Sequence, residues 1–131
     1  PKADLIDLNS DQKVGTHTGV LNATIGQRKG LAYSSESKKY VVKIDSKENK
    51  IYLGSEQDLF SKSMKVDWIK KPNLNRKYSI KIRYRHEGSM AYVDDAGTVN
   101  FYEPQRAISP GQAAVCYDEN DQLVGGGFIY E

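Results

Sequence analysis

The sequence has little cysteine and no long hydrophobic run. Cys116 is the one cysteine among 131 residues, so an internal disulfide framework is impossible. A chain that is stable without disulfides suits a reducing compartment, and we expect a cytoplasmic location. No apolar run approaches the roughly 18 residues that span a bilayer, and residues 1–13 lack the pattern of a signal peptide. We therefore expect no association with a membrane.

Metal-ligating and nucleophilic side chains are sparse and scattered. His17, His86 and Cys116 occur singly, without the C-x-x-C or H-x-x-x-H spacing of zinc sites. Cys116 lies between apolar neighbours in AAVCY, where no basic group would lower its pKa, so it is predicted to be a buried small hydrophobe. No Ser/His/Asp order and no carboxylate pair stands out. The sequence predicts no self-contained active site and no bound cofactor.

The length limits the architecture. A chain of 131 residues accommodates one ordinary domain or two very small ones. Hydrophobic residues make up 38% of the sequence, including nine Tyr, three Phe and one Trp, which is enough for a packed core. The chain starts at Pro1 rather than Met, and we expect a fragment or a processed product.

The net charge of +2 conceals a strong segregation of charge. Residues 62–85 contain nine basic residues and one acidic residue, a net charge of +8. Residues 86–131 contain one basic and eight acidic residues, a net charge of −7. One interpretation is a cationic surface that attracts a polyanion. The other is that strands from the two segments lie side by side and their charges pair.

Alternating short segments predict an all-β fold. In YSIKIRYR, residues 78–85, the apolar and aromatic residues occupy one face and Ser79, Lys81, Arg83 and Arg85 the other, as in a half-buried strand with a cationic outer face. KSMKVDWIK alternates in the same way. Three hairpins are predicted from strands at 40–44 and 51–53, at 90–93 and 98–102, and at 113–117 and 123–130. Helix is expected to be scarce.

Changes in composition divide the chain into modules. The irregular GSEQDLFS, residues 54–61, separates strands of different composition. We expect a linker at 1–12, a small central β domain at 13–60 and a Greek-key-like β-barrel at 61–131.

Two glycine-containing segments are candidates for phosphate-binding loops. TIGQRKGL places Arg28 and Lys29 between two glycines, which suits either a phosphate contact or an exposed basic turn. Its spacing is not that of a Walker loop, so nucleotide hydrolysis is not predicted. Gly125–Gly127 has strands on both sides, and a strand that closely approaches neighbouring backbone is the better interpretation.

Five segments together resemble the C-terminal half of the tRNA-specific 2-thiouridylases, once labelled tRNA methyltransferases. They occur in the family's order and cover nearly the whole chain: GTHTGVLNATIGQRKGL (15–31), YVVKID (40–45), KIRYRHEG (81–88), YEPQRAISPGQAAVCYD (102–118) and LVGGGFI (123–129). The sequence departs from the family in AYSSESKK, residues 32–39, where a Gly-rich stretch and a Trp are usual, and it lacks an aromatic residue before TIGQR. Because these departures lie in the central module, we expect that module to contact its partner domain or tRNA differently from other members of the family.

The resemblance implies a division of labour in a larger enzyme. In the family, an N-terminal ATP-pyrophosphatase domain adenylates the wobble uridine, two cysteines deliver sulfur, and the two β modules hold the tRNA. This chain resembles only those two modules, so ATP would bind in the missing domain, and the fragment is not expected to be catalytic on its own. Expected partners are tRNA, that ATP-pyrophosphatase domain and a sulfur-carrier protein. Cys116 does not match a sulfur-transfer cysteine.

The resemblance also places tRNA contacts on the barrel. They correspond to Arg83 and Tyr84 of KIRYRHEG and to Gln112 of SPGQAA. Alternation agrees for Arg83, whereas it places Tyr84 on the apolar face, as a core residue at the strand end. With the basic residues of the two motifs, the full set of expected tRNA-binding residues is Arg28, Lys29, Lys81, Arg83, Tyr84, Arg85 and Gln112.

The expected function is therefore tRNA binding and positioning for ATP-dependent 2-thiouridine formation at the wobble position. Two alternatives remain open. The basic strand could dock an acidic protein such as a sulfur carrier, or the modules could only brace the catalytic domain.

Overall fold

The computed structural model describes residues 2–28, 38–84 and 87–131, and these residues form two compact units, 1–60 and 61–131. The first unit contains β1 (Ala3–Asp7), β2 (Lys13–His17), β3 (Tyr40–Asp45) and β4 (Lys50–Gly54), with short 3₁₀ helices at Val20–Asn22 and Glu56–Leu59. The second contains β5 (Phe60–Met64), β6 (Val66–Lys70), β7 (Arg76–Lys81), β8 (Ser89–Val93), β9 (Val99–Arg106), β10 (Ala113–Tyr117) and β11 (Leu123–Ile129). The predicted all-β fold of two modules is confirmed.

A four-stranded sheet with the order β2-β1-β4-β3 forms the first unit. Strand β1 pairs in parallel with β4, where Leu5 lies opposite Ile51, and antiparallel with β2. Ala3, Leu5 and Ile51 are fully buried in its core. The prediction that residues 1–12 are a linker is therefore wrong. The partners of β1 include β4, whose paired residues lie 46 positions further along, so the short sequence of β1 carries no local sign of the pairing.

The second unit is a seven-stranded sheet with the order β5-β9-β8-β7-β10-β11-β6. Strands β7, β8 and β9 are successive neighbours, and β10 returns to lie beside β7, which is the Greek-key order. The edge strands β5 and β6 are separated in sequence by Lys65 alone, so the sheet must curl until its two edges approach each other. The predicted Greek-key-like barrel is confirmed.

Alternation of buried and exposed residues builds the core of this barrel. Tyr78, Ile80 and Ile82 point inward from β7 and the residues that follow it, and Met64 and Val66 do so on either side of the bend at Lys65. The alternation predicted for KSMKVDWIK is thus present, but it extends over two strands at opposite edges of the sheet. The three predicted hairpins correspond to β3–β4, β8–β9 and β10–β11.

The glycines of β11 lie where neighbouring backbone approaches closely. The register between β11 and β6 shifts between Gly126 and Gly127. A Cβ atom on Gly127 would be 2.2 Å from the carbonyl oxygen of Asp67, and one on Gly125 would be 2.9 Å from Pro72 Cδ. The interpretation of this segment as a crowded strand, rather than a phosphate loop, is confirmed.

Among the described residues, the structure contains no helix with the length and apolar character that a membrane span requires.

Candidate nucleic-acid interface

A groove of about 460 Å³ lies where β7 ends and β10 begins. These strands run antiparallel, with Lys81 opposite Val115, so the residues that follow β7 face those that precede β10. The lining of the groove includes four side chains predicted to bind tRNA: Lys81, Arg83, Tyr84 and Gln112. The remaining lining residues are Ile82, Ala113 and Val115, which give the groove an apolar floor. Sequence patterns gave no indication of the roles of Ala113 and Val115.

Tyr84 does not lie in the core. Its side chain is 92% exposed, whereas Ile82, two residues earlier, is 1% exposed. Strand β7 ends at Lys81, and Arg83 and Tyr84 follow in a bend and a turn. The strand alternation that predicted an apolar-facing position therefore no longer applies at Tyr84. Its phenol ring is instead accessible for stacking on a planar group.

Arg83 is exposed but anchored at the edge of the groove. Its Nη2 atom donates a hydrogen bond to the main-chain carbonyl oxygen of Arg106, at the end of β9. A guanidinium has five N–H donors in a fixed planar arrangement, so one such bond leaves others for a ligand. The contact with Arg106 limits the freedom of the side chain, which lowers the entropic cost of binding an anion.

Gln112 is positioned by its main chain rather than by its side chain. Its N–H donates to the carbonyl oxygen of Ser109 at 3.2 Å, and its carbonyl oxygen accepts from the N–H of Ile129 at 2.9 Å. Gly111, with φ of 92°, forms the turn before it. The residue is exposed and lines the groove, so its amide can both donate and accept hydrogen bonds there.

The other predicted contact residues are not part of this groove. Arg28 is exposed in the first unit, after a turn in which the Gly26 N–H donates to the Val41 carbonyl oxygen at 2.8 Å. Gln27 Oε1 accepts from the Thr24 N–H at 3.0 Å, so this basic turn is well anchored. Lys29 and Arg85 lie outside the described residues.

Charge pairing does not neutralise the groove. Within residues 2–28, 38–84 and 87–131, the ion pair between the basic and acidic segments joins Lys65 to Glu131, with 2.9 Å between Nζ and Oε2. Neither Lys81 nor Arg83 belongs to an ion pair in this part of the chain. Two cations therefore face solvent around an apolar floor, beside an aromatic ring and an amide. Such a combination suits a nucleic-acid backbone and its bases.

Nucleophilic and metal chemistry finds no support among the described residues. Cys116 is fully buried, and burial raises the pKa of its thiol to about 12. The prediction that it is a buried small hydrophobe is confirmed. Among the residues that the structure describes, no three His, Cys, Asp or Glu side chains cluster as metal ligands would.

The fold and the groove together define a two-module β protein with an exposed cationic and aromatic site. Residues 2–55 match the family described as tRNA methyl transferase PRC-barrel domain, and residues 60–129 match the family described as Aminomethyltransferase beta-barrel domain. The chain belongs to the tRNA-specific 2-thiouridylase family.

Similar proteins support this assignment over most of the chain. The tRNA-specific 2-thiouridylase MnmA of Acidithiobacillus ferrooxidans is 36% identical over 98% of this chain and 38% of its own length. That of Acidobacterium capsulatum is 40% identical over 88% of this chain and 34% of its own length. The tRNA-specific 2-thiouridylase MnmA 1 of Caldanaerobacter subterraneus is 43% identical over 88% of this chain and 34% of its own length. The chain thus spans little more than a third of the length of these curated relatives.

Proposed function

We propose that this chain is the tRNA-binding and positioning region of a tRNA 2-thiouridylase. The observation that carries the proposal is the groove at the end of β7, which brings together Lys81, Arg83, Tyr84 and Gln112. These four residues come from two segments that are distant in sequence, and the pairing of β7 with β10 makes them neighbours.

Each side chain has a role that fits RNA. Lys81 and Arg83 contact backbone phosphates, which supplies affinity without reading sequence. Tyr84 stacks on an unpaired base, the usual way in which proteins hold single-stranded parts of a folded RNA. Gln112 donates to or accepts from a base edge or a ribose hydroxyl. Arg28, Lys29 and Arg85 add phosphate contacts outside the groove.

The chemistry belongs to other parts of the parent enzyme. In this proposal, an N-terminal ATP-pyrophosphatase domain binds ATP and activates the wobble uridine, sulfur arrives from a carrier protein, and the reaction takes place in the cytoplasm. The relatives carry the name tRNA-specific 2-thiouridylase, and this chain covers about a third of their length, so they have further sequence in which the chemistry can reside. The isolated chain holds the tRNA and no cofactor.

Binding of a fluorescent, unmodified tRNA transcript to the 131-residue chain tests the proposal. Anisotropy titrations at several salt concentrations give both the affinity and its salt slope. Arg83→Ala should weaken binding by about 1 to 3 kcal/mol and flatten the log–log salt slope by about one unit or less, because one phosphate contact is lost. Tyr84→Ala should weaken binding by a similar amount, about 1 to 3 kcal/mol, with the slope unchanged, because stacking releases no counterions.

Tyr84→Phe, which keeps the ring, is the matched control and should retain most of the affinity. Thermal unfolding should be unaffected by either change at Tyr84, since its side chain is 92% exposed. A chain that binds tRNA no better than it binds an acidic protein would contradict the proposal and favour the protein-docking alternative. So would variants at Arg83 and Tyr84 that bind tRNA as the unchanged chain does.

A further inference from the structure

A second groove lies at the opposite end of β7. It has a volume of about 360 Å³ and is formed where β6 ends, β7 begins and the β10–β11 turn passes nearby. Four cations are among its lining residues: Lys70, Lys71, Arg76 and Lys77. None of the sequence motifs that indicate a tRNA contact includes them.

These cations are not used to hold the fold together by ion pairs. In the described part of the chain, none of the four forms an ion pair with a carboxylate. Lys77 lies over the ring of Tyr102, with its Nζ 5.4 Å from the ring centroid. Lys70, Lys71 and Arg76 are exposed. Four positive charges in one groove repel one another, so an arrangement without internal pairing is most favourable when an external anion is bound.

Two carboxylates, Asp118 and Glu119, also line the groove, and they differ in their hydrogen bonding. Asp118 is engaged within its own turn, where its Oδ1 accepts from the N–H groups of Asn120 and Gln122, each at 2.9 Å. Glu119 is exposed and lines the same groove as Lys77. Both carboxylates place negative charge among the four cations of the groove, and, within the described residues, Glu119 is the one that no hydrogen bond to a turn amide engages.

The spacing of the two grooves indicates an extended ligand. Lys77 and Lys81 are four residues apart on the outer face of β7 and line the second and the first groove, respectively. At about 3.3 Å per residue within a strand, these two positions are separated by roughly 13 Å. Charge-assisted hydrogen bonds are only about 2.7 to 2.9 Å long, so one phosphate group cannot contact both grooves. A polyanion that follows β7 can.

We propose that the groove formed by Lys70, Lys71, Arg76 and Lys77 is a second phosphate-binding site, which contacts a different part of the backbone of the same RNA. The inference deepens the proposed function and rests on it. The first groove, with its tyrosine and amide, holds both base and phosphate. The second has no exposed aromatic side chain in its lining, so it binds the backbone alone and contributes affinity that is independent of base sequence.

The test uses the same 131-residue chain and unmodified tRNA transcript. Lys71→Ala and Arg76→Ala should each weaken binding by about three- to tenfold and flatten the salt slope by up to about one unit. Arg76→Lys, which keeps the charge, should recover most of the loss. Lys62→Ala, an exposed cation on β5 outside both grooves, is the control and should change affinity by less than about twofold.

Glu119→Gln provides a test of opposite sign. If the groove binds phosphate, removing this carboxylate should strengthen tRNA binding by about two- to threefold. If Glu119 instead holds the cations for the sake of stability, the substitution should lower the melting temperature and leave binding unchanged, and the inference would be wrong.

Comparing Arg83→Ala in the first groove with the variants of the second groove tests the second site independently of the proposed function. Because the grooves are more than about 10 Å apart, the losses of Arg76→Ala and Arg83→Ala should multiply in the double variant. A loss with Arg83→Ala but none with Lys71→Ala or Arg76→Ala overturns the second site and leaves the first. Equal losses for tRNA and for an acidic protein in the Arg76→Ala variant overturn the assignment of RNA as the ligand of this groove.

Discussion

Replacing Gly127 with Ala tests how the barrel is held together between β11 and β6. The added Cβ would be 2.2 Å from the carbonyl oxygen of Asp67 and 2.8 Å from the Cα of Trp68. Both neighbours are main-chain atoms of β6, so no side-chain rotation relieves the overlap. The two strands would have to separate at Gly127, next to the shift in register. The edge strand β6 is held in the curled sheet by this pairing.

The expected cost follows from the geometry. Overpacking in a core costs about 1 to 3 kcal/mol when side chains can adjust, and here only backbone can move, so we expect about 3 kcal/mol or more. In a unit of this size, 1 kcal/mol corresponds to about 4 to 8 °C, which predicts a melting temperature lower by at least about 12 °C. Trp68 is the single tryptophan, and its Nε1 donates to the Gly97 carbonyl oxygen at 2.9 Å. Its fluorescence therefore reports on the barrel alone.

Gly126→Ala is the matched control, one residue away in the same strand. A Cβ there would meet only the Ala114 carbonyl oxygen, at 3.4 Å, an ordinary contact. The change should alter stability by less than about 1 kcal/mol, since the loss of unfolded-state entropy partly offsets any crowding. If the Trp68 melting temperature falls no further in Gly127→Ala than in Gly126→Ala, the close approach of β6 does not constrain this strand and the reasoning is refuted.

Two further predictions concern a buried thiol and a turn carboxylate. Because burial raises the pKa of Cys116 to about 12, the native chain should resist alkylation by iodoacetamide at pH 8 and react once it is unfolded; labelling of the native chain at the rate of the unfolded chain would contradict this prediction. The substitution Cys116→Ala should lower the free energy of unfolding by roughly 1 kcal/mol and leave tRNA binding unchanged. The pKa of Asp94 is lowered by hydrogen bonds from the Asn100 side chain and then the Thr98 N–H, so its stabilisation is present above the ordinary aspartate pKa of about 3.9 and is lost as pH falls through the lower native value. Asp94→Asn should lower the melting temperature at pH 7 and flatten its decline in acid, whereas parallel pH profiles would argue against this role.

Local sequence patterns predicted most strands, because the two strands of a hairpin are adjacent in sequence and pair with each other. The β8–β9 and β10–β11 hairpins were predictable from alternation on both sides of a polar turn. Strand β1 was missed because its register is set by β4, 46 residues away, and by β2, which carries little apolar patterning. The bend at Lys65 was also not predictable, since the alternation of Met64 and Val66 continues through it.

Individual residues of the candidate site were predicted from the sequence, but their arrangement in one groove was not. Resemblance and alternation indicated Arg83 and Gln112, yet only the pairing of Lys81 with Val115 shows that they share a groove. Tyr84 was placed on the wrong face because the sequence does not show where β7 ends. Alternation predicts orientation only within a strand, and Tyr84 lies beyond the end of β7.

The segregated charges of the barrel coexist because the acidic residues serve its turns. Asp94 accepts from the N–H groups of Ala96 and Thr98, each at 3.0 Å, and Asp118 accepts from two N–H groups of the β10–β11 turn. These carboxylates are engaged by hydrogen bonds within their own turns rather than by ion pairs with the basic strand. In the described residues, pairing between the two segments is limited to Lys65 and Glu131. The acidic segment therefore builds the connections of the sheet, and the cations along β7 remain directed at solvent, where an anionic partner can reach them.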